Sequence, residues 1–233
     1  VSKMPHVTLE IDSVYCRETE DTGWLGSADE FYLSGIIQGG RVSSTVITEP
    51  IRIDNGETKN IPKPLVFSGP VPHGAPLRIA LQAFDNDAAK DWADRAAGID
   101  ILQKKVDEKW KEHRPNGTVT GPPDPSNDEA RNALKWIVDG LQFLATTDVD
   151  DLLGTLTVDI PISNDRLLTE SRYSWHLTGD DADYVVKYRL TAIQDGATPD
   201  QVDAERKRLY DLAVIRHNQL VAAGFKNPND PIQ

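Results

Sequence analysis

The chain has 233 residues, of which 39% are hydrophobic and 27% are charged, a composition typical of a globular protein of one large domain or one domain with an extension. Its formal net charge is −12, which argues against a nucleic-acid partner, because phosphate neutralisation needs clustered Lys and Arg. No window approaches the roughly 18 uninterrupted apolar residues of a transmembrane helix. Cys16 is the only cysteine, which excludes an intrachain disulfide and a cysteine-based zinc site.

The first residues, Val-Ser-Lys-Met-Pro, lack the apolar core of a signal peptide. We therefore expect any secretion signal to be absent or already removed. A secreted or cell-surface location is favoured, and a cytosolic one stays open. Cys16 lies in an alternating apolar segment, where we expect a buried and inert thiol.

Several short segments alternate apolar and polar residues, which is the period of a half-buried β-strand. Residues 7–16 form the first such segment, and 77–84 form the clearest. The other predicted strands are 31–33, 46–53, 64–67, 153–160, 173–177 and 184–190. Prolines at 62, 64, 70 and 72 indicate that the strand at 64–67 lies at a sheet edge or pairs irregularly.

Two regions have the periodicity of helices instead. Trp92, Ala96 and Ile99 begin a helical pattern, and a capping-box sequence at 126–129 begins a second, strongly apolar one. Thr198 and Pro199 have the residue types of a cap and a first helical position, and Gly224 those of a helix end. Strands do not alternate regularly with these helices, which argues against parallel βαβ winding.

The predicted fold is therefore mainly β, an eight-stranded antiparallel β-sandwich with an inserted helical hairpin and a C-terminal helix. We expect residues 1–87 and 148–195 to form the sandwich, 88–147 the hairpin, and 196–233 a helical extension. The apolar faces of the hairpin and of the terminal helix are candidate surfaces for self-association or a protein partner.

Acidic residues cluster where predicted strands end. They lie in the loop after the first strand, directly after the strand at 77–84, and where the chain re-enters the sandwich after the hairpin. Calcium prefers six to eight oxygen ligands in flexible geometry, which Asp-rich loops supply. Carboxylates gathered at one end of a sandwich would repel each other without a cation between them. The alternative explanation is turn formation and helix capping. The acidic residues of these three clusters are Glu18, Glu20, Asp21 and Asp29 in the first, Asp85 and Asp87 in the second, and Asp148, Asp150 and Asp151 in the third.

The same segments resemble the C2 domain, a calcium- and lipid-binding β-sandwich. Leu9-x-Ile11, an acidic loop and the residues 26–33 resemble its first loop and second strand. Residues 77–84 followed by Asp85-x-Asp87 resemble the strand and Asp-x-Asp of its third loop, and 151–158 resemble the segment that closes that loop. Trp175-x-Leu177 and the pattern at 184–190 resemble its last two strands. The resemblance implies that calcium is held by Asp21, Asp29, Asp85, Asp87 and Asp151.

The chain departs from the C2 pattern in two places. Glu30-Phe31-Tyr32 stands where Pro-Tyr is usual, with an additional Ala28. The third loop of the family is short, whereas about sixty residues separate Asp87 from Asp148 here. This insertion puts the pairing of Asp151 with Asp85 in doubt, although an insertion at a loop tip can leave both loop bases in place. Asp148 or Asp150 could take its place, and Asp91 or Asp94 could enter from the start of the helix.

The resemblance implies calcium-dependent recruitment to an anionic membrane surface. Trp24 and Leu25, expected at the tip of the first loop, would suit insertion between headgroups, but Trp24 could instead pack against the hairpin. The basic residues Arg52, Lys59 and Lys63 are too sparse to form a polybasic strand. The leading hypothesis is thus a calcium-binding module that associates with a protein partner or a surface.

Two other functions stay open. In the first, the chain is a structural or adhesion subunit in which calcium only stiffens loops. In the second, it is a hydrolase that uses the acidic loops. The five histidines show no metal-ligand spacing, and the sequence has no G-x-S-x-G, phosphate loop or H-E-x-x-H. We therefore expect a protein without catalytic residues.

Overall fold

The computed structural model describes residues 4–19, 28–40, 42–86, 92–93, 96–99, 101, 104, 151–163, 165–179 and 182–232. These contain ten strands and one long helix, numbered here in chain order. The strands are β1 (His6–Glu18), β2 (Asp29–Gly39), β3 (Val42–Ile47), β4 (Ile51–Ile53), β5 (Thr58–Asn60), β6 (Leu65–Pro70), β7 (Pro76–Asp85), β8 (Asp151–Pro161), β9 (Leu168–Gly179) and β10 (Ala182–Ile193). The helix is α1 (Pro199–Ala222).

The strands form two antiparallel sheets. Sheet one has the order β5-β1-β10-β9, with β6 also paired to β1, and sheet two has the order β3-β2-β7-β8, with β4 also paired to β2. The predicted antiparallel sandwich is confirmed. The strand count differs from the expected eight because the segment at 46–53 divides into β3 and β4, and β5 adds a three-residue strand.

The core lies between the two sheets and consists of the residues that alternation turns inward. Val7, Leu9 and Ile11 of β1 face Phe31 and Leu33 of β2, and all are buried. Burying such aliphatic and aromatic side chains stabilises a fold by roughly 1.5–3 kcal/mol each. The alternating segments of the sequence therefore place their apolar side chains as the period-two pattern predicts.

Sheet two is buried on its outer face as well. Tyr32, Ile36 and Phe84 point away from the core, yet they are almost completely buried, and the rings of Tyr32 and Phe84 stack with centroids 5.4 Å apart. Trp92, in the helical residues that follow β7, donates its indole N–H to the carbonyl oxygen of Thr48 at 2.8 Å. The segment after β7 thus begins against the β3 side of this sheet.

Residues 92–93, 96–99, 101 and 104 are helical, in agreement with the pattern of Trp92, Ala96 and Ile99. The rest of the expected hairpin lies outside the described residues, and the domain division stays a prediction. No helix among the described residues is long and apolar enough to cross a bilayer.

Helix α1 begins and ends as its sequence predicts. The Thr198 hydroxyl accepts a hydrogen bond from the Gln201 N–H at 3.3 Å, and the Gln201 side chain accepts one from the Thr198 N–H at 2.9 Å, which completes a capping box. Gly224 adopts φ +75° just after the helix. Arg206 of α1 lies 3.7 Å from Glu170 of β9, which places the start of the helix beside sheet one.

Two neighbouring residues of β2 give opposite predictions for stability. A Cβ atom at Gly35 would lie 2.1 Å from the carbonyl oxygen of Ala80 on β7, so Gly35→Ala should cost about 2 kcal/mol or more of unfolding free energy. The hydroxyl of Ser34 is buried without a hydrogen-bond partner in the described structure, so Ser34→Ala should add about 1 kcal/mol. Urea denaturation of both variants measures the two changes, and equal losses would contradict the described register of β2 and β7.

Candidate metal centre

The strands bring three of the predicted aspartates to one end of sheet two. Asp29 begins β2, Asp85 ends β7 and Asp151 begins β8, and these three strands are neighbours in the sheet. The backbone of Asp85 is paired with Phe31 on one side and with Asp151 on the other. The chain between β7 and β8 therefore leaves and re-enters the sheet at directly paired residues.

The backbone of Asp151 lies directly opposite that of Asp85 despite the long insertion between them. A long insertion can be attached at the tip of a loop without separating the loop bases, because the entropic cost of closing a loop grows only slowly with its length. The β7–β8 register shifts between Ala83 and Phe84, and this irregularity lies next to the paired aspartates.

The other candidate residues fall outside the described side chains. These are Asp21, Asp87, Asp148 and Asp150, together with Trp24 and Leu25. Only the backbone of Asp151 is described. Among the described side chains, no group of three or more His, Cys, Asp or Glu residues could hold a metal ion. The seven-residue ligand set as a whole stays a prediction.

Asp29 joins the two sheets. It points into the sandwich on the same face as Phe31 and is 1% exposed. Its Oδ2 accepts a hydrogen bond from the Tyr184 hydroxyl on β10, and the rings of Phe31 and Tyr184 lie 4.9 Å apart. The pKa of Tyr184 is raised far above its ordinary value, chiefly because the hydroxyl is buried. The hydrogen bond to Asp29 and the negative charge of Asp29 raise it further.

Cys16 and Asn55 extend this network on the side of β1. The Cys16 thiol is completely buried and lies 3.8 Å from Asn55 Oδ1, which also accepts the backbone N–H of Thr19 at 2.6 Å. Gly56, at φ +78°, allows the tight turn that positions Asn55. Burial, outweighing a hydrogen bond with Tyr184, raises the pKa of Cys16 to about 11. The expected burial of this thiol is confirmed.

Asp85 is nearly buried and accepts a hydrogen bond from the backbone of β2. It is 8% exposed, and its Oδ1 accepts the N–H of Glu30 at 2.5 Å. The next residue, Asn86, donates its side-chain amide to Glu30 at 2.9 Å. The amide oxygen of Asn86 is buried and has no hydrogen-bond partner among the described residues. Carboxyl and amide oxygens are thus concentrated at this sheet end.

The sequence reasoning missed Tyr184, Asn55, Glu30 and Asn86 as parts of this site. Alternation along β10 marks Tyr184 as an inward residue but does not show which strand it faces. Asn55 lies in an Asp-Asn-Gly segment, and the sequence pattern predicts only that this segment forms a turn. A cross-sheet partner at a separation of 155 residues leaves no local signal.

His176 is hydrogen-bonded to the neighbouring strand. Its Nε2 lies 2.5 Å from Asp183 Oδ1 on the neighbouring strand β10, and Arg17 lies 3.7 Å from the other oxygen of Asp183. These residues stand on the outer side of sheet one.

No protein-family model and no curated protein matches the chain. Similar solved structures include human GIVD cytosolic phospholipase A2 in complex with methyl gamma-linolenyl fluorophosphonate, with 11% identity and a TM-score of 0.39 over 85% of this chain and 18% of that one. A structure of two C2 domains, A and B, of extended-synaptotagmin 2 gives 13% identity and a TM-score of 0.36 over 81% of this chain and 40% of that one. The chain therefore spans less than half of either structure.

The architecture agrees with the sandwich that the sequence resemblance implies. Two antiparallel sheets face each other, and the loops after β1 and after β7, which the resemblance equates with the first and third C2 loops, start from the same end of the sandwich. The residues that the resemblance assigns to the loop bases, Asp29, Asp85 and Asp151, lie at strand ends on that side.

The link between Asp29 and Tyr184 predicts a large cost for a small deletion. Tyr184→Phe removes the hydroxyl donor to a buried carboxyl group, so it should lower the unfolding free energy by about 2 kcal/mol. In the Tyr184→Phe background, Asp29→Asn should cost less than it does alone, because the two residues share one interaction. Tyr173→Phe, at a half-exposed ring, is the control and should change stability by less than about 0.5 kcal/mol. Additive effects of the two substitutions would contradict the link.

The raised pKa values predict a loss of stability in alkali. Unfolded Cys16 ionises near its ordinary value of 9.0, whereas the folded thiol stays protonated until about pH 11. The protonated Cys16 thiol therefore makes its full contribution to the free energy of unfolding below pH 9, and this contribution is lost between pH 9 and 11. The total loss is on the order of 2 kcal/mol. Tyr184, also raised, extends the decline above pH 10.

Denaturation of the wild type and of Cys16→Ala at pH 8, 9.5 and 10.5 measures this effect. The variant should lose stability less steeply between pH 9 and 10.5. Identical slopes in the two proteins would show that Cys16 is not shielded from ionisation.

Proposed function

We propose that the chain is a calcium-binding, C2-like module whose loaded loops associate with a partner surface. The observation that carries the proposal is the placement of Asp29, Asp85 and Asp151 on the adjacent strands β2, β7 and β8 at one sheet end. The resemblance identified in the sequence assigns calcium ligands to these same positions.

The donor chemistry fits calcium. Each carboxylate has two oxygens and about four lone-pair positions, so accepting from Tyr184 or from the Glu30 N–H is compatible with metal coordination by Asp29 or Asp85. Carboxyl oxygens, with the buried amide oxygen of Asn86 beside them, are the hard ligands that Ca²⁺ takes in flexible geometry.

The proposed ligand set combines strand ends and loops. Asp29 and Asp85 form the described floor, and Asp21, Asp87 and Asp151 complete the set that the resemblance implies, with Asp148 and Asp150 as further candidates. When bound, calcium supplies the positive charge that offsets the repulsion between these carboxylates. The protein's own part is to hold the floor residues in fixed positions through Tyr184 and the backbone of Glu30.

Calcium binding should raise the melting temperature. A ligand that binds only the folded state adds about 2.7 kcal/mol at a concentration one hundred times its dissociation constant. We expect the wild-type melting temperature to be higher in millimolar calcium than in chelator, and the difference to be lost in Asp85→Asn/Asp87→Asn. Asn at 85 keeps the oxygen that accepts from Glu30, so the double variant removes charge with little change of shape.

Asp203→Asn, on the exposed surface of α1, is the matched control and should retain the calcium effect. Metal content after gel filtration is measured alongside, because a very tight site could resist chelation. The proposal would be overturned if the melting temperature were the same in calcium and in chelator and the protein contained no bound metal.

The surface that the module recognises is a separate part of the proposal. Trp24 and Leu25, in the loop between β1 and β2, have the residue types that insert at a membrane interface. We expect calcium-dependent sedimentation with vesicles that contain phosphatidylserine, and a several-fold loss in Trp24→Ala. Vesicles of phosphatidylcholine alone are the control.

A purely structural calcium is the second candidate. It is favoured by the burial of Asp29 and Asp85 and by their hydrogen bonds to the protein, because such a site would mainly join strand ends. In that case the calcium-dependent rise in melting temperature persists, whereas vesicle sedimentation is unchanged by calcium. Either form of the module would be non-catalytic, and a protein partner or a second copy would then be the associated surface.

A further inference from the structure

Strand β9 forms an edge of sheet one. Among the described residues it pairs with β10 alone, and that pairing runs from Leu168 to Gly179 over twelve residues without a register shift. An edge strand presents a row of backbone N–H and C=O groups that can pair with another chain. A regular strand of this length is a template for such pairing.

Several other outer strands carry features that discourage pairing. Strand β8 has an irregularity opposite Ala83 and Phe84 and ends at Pro161. Strand β6 ends at Pro70, and β4 and β5 have three residues each. Short strands, bulges and prolines are common protections of sheet edges. Strand β9, which the structure describes over its whole length, has no proline, no lysine and no bulge.

The middle of β9 is open to solvent. The Arg172 side chain is 74% exposed, Tyr173 is 49% exposed and Ser174 is also exposed. The Tyr173 ring leans on Tyr188 of β10, with centroids 5.5 Å apart, and Tyr188 stacks on Trp175 at 4.0 Å. An aromatic cluster thus reaches the surface along this edge.

We propose that β9 pairs antiparallel with β9 of a second copy of the chain, with Tyr173 on the twofold axis. This register is centred on the open middle of the strand, where residues 172–174 are exposed and face the same stretch of the other copy. Tyr173 meets Tyr173 of the second copy, and aromatic cross-strand pairs stabilise sheets. The two copies of sheet one become one continuous sheet.

The charges along β9 favour a second copy as the occupant. In this register Glu170 faces His176 of the second copy, and Arg172 faces Ser174, so no like charges stand directly opposite each other. By symmetry the Glu170–His176 contact occurs twice. The chain as a whole has a net charge of −12, but β9 carries one glutamate and one arginine. The charges of the paired strands therefore add little to the repulsion between two acidic copies.

A lysine on the axis should prevent the pairing. Tyr173→Lys places two ammonium groups opposite each other at a half-exposed position, where the fold itself tolerates the change. Light scattering after gel filtration should give the wild type twice the chain mass of 25.8 kDa and the variant the single mass. Tyr210→Lys, at a side chain on α1 that is 59% exposed, is the matched control and should remain dimeric. A wild type that is monomeric at high micromolar concentration overturns the proposal.

Cysteine substitution tests the register. Tyr173→Cys brings two thiols into direct opposition in the proposed pairing, within the range that a disulfide can bridge. Ser171→Cys lies on the same face, but its thiols would be four residues apart along the paired strands. Mild oxidation should link Tyr173→Cys into a covalent dimer and leave Ser171→Cys unlinked, as judged by non-reducing electrophoresis. The buried Cys16 provides no competing thiol in the folded protein. Equal linking of both variants, or of neither, would overturn this register.

Discussion

The hydrogen bond between Tyr184 and Asp29 fixes the relative position of the two sheets at the loop end of the sandwich. The rest of the core there is apolar and non-directional, since Phe31, Val14 and Val186 could pack with small shifts of one sheet over the other. A buried carboxyl group cannot shift in this way without losing its donor, because an unpaired buried polar group costs far more than a slightly altered apolar contact. The two sheets are therefore held in one arrangement at the end where the loops begin.

This hydrogen bond also determines which residues lie at the bases of the loops. Asp29 is the first residue of β2, and two residues later Phe31 pairs with Asp85, which pairs in turn with Asp151. Once Tyr184 holds Asp29, the antiparallel register places the other two aspartates at the same sheet end. The long insertion connects β7 to β8, and the pairing of these two strands continues into the sheet. Its length affects the site little, because the geometry at the base is set by the ladder of backbone hydrogen bonds and not by the loop.

Much of this could be predicted from the sequence, and the reason differs between elements. The strands at 7–16, 77–84 and 184–190 show their buried face as a period of two, and the cap of α1 rests on four consecutive residues, so both are local signals. The contact between Asp29 and Tyr184 has no such local signal, because the two residues are 155 positions apart in the sequence. It depends on which strands face each other across the core, and alternation carries no information about the opposite sheet. The division of residues 46–53 into β3 and β4 escaped for a related reason, since both pieces pair with β2 at different places.

The same interaction bears on how a metal would act at this site. Asp29 already accepts from Tyr184, and Asp85 already accepts from the Glu30 N–H, so the floor of the proposed site is positioned before any ion arrives. Preorganised ligands lower the ordering cost of binding, and the strength of binding would then depend mainly on the carboxylates that the loops add. Truncation of a floor side chain to Ala should accordingly disturb folding and metal binding together, because one carboxyl group takes part in both. Substitutions in the loops should disturb metal binding alone. This division follows from where each aspartate sits relative to the strand ends, and it gives the contribution of each a distinct experimental signature.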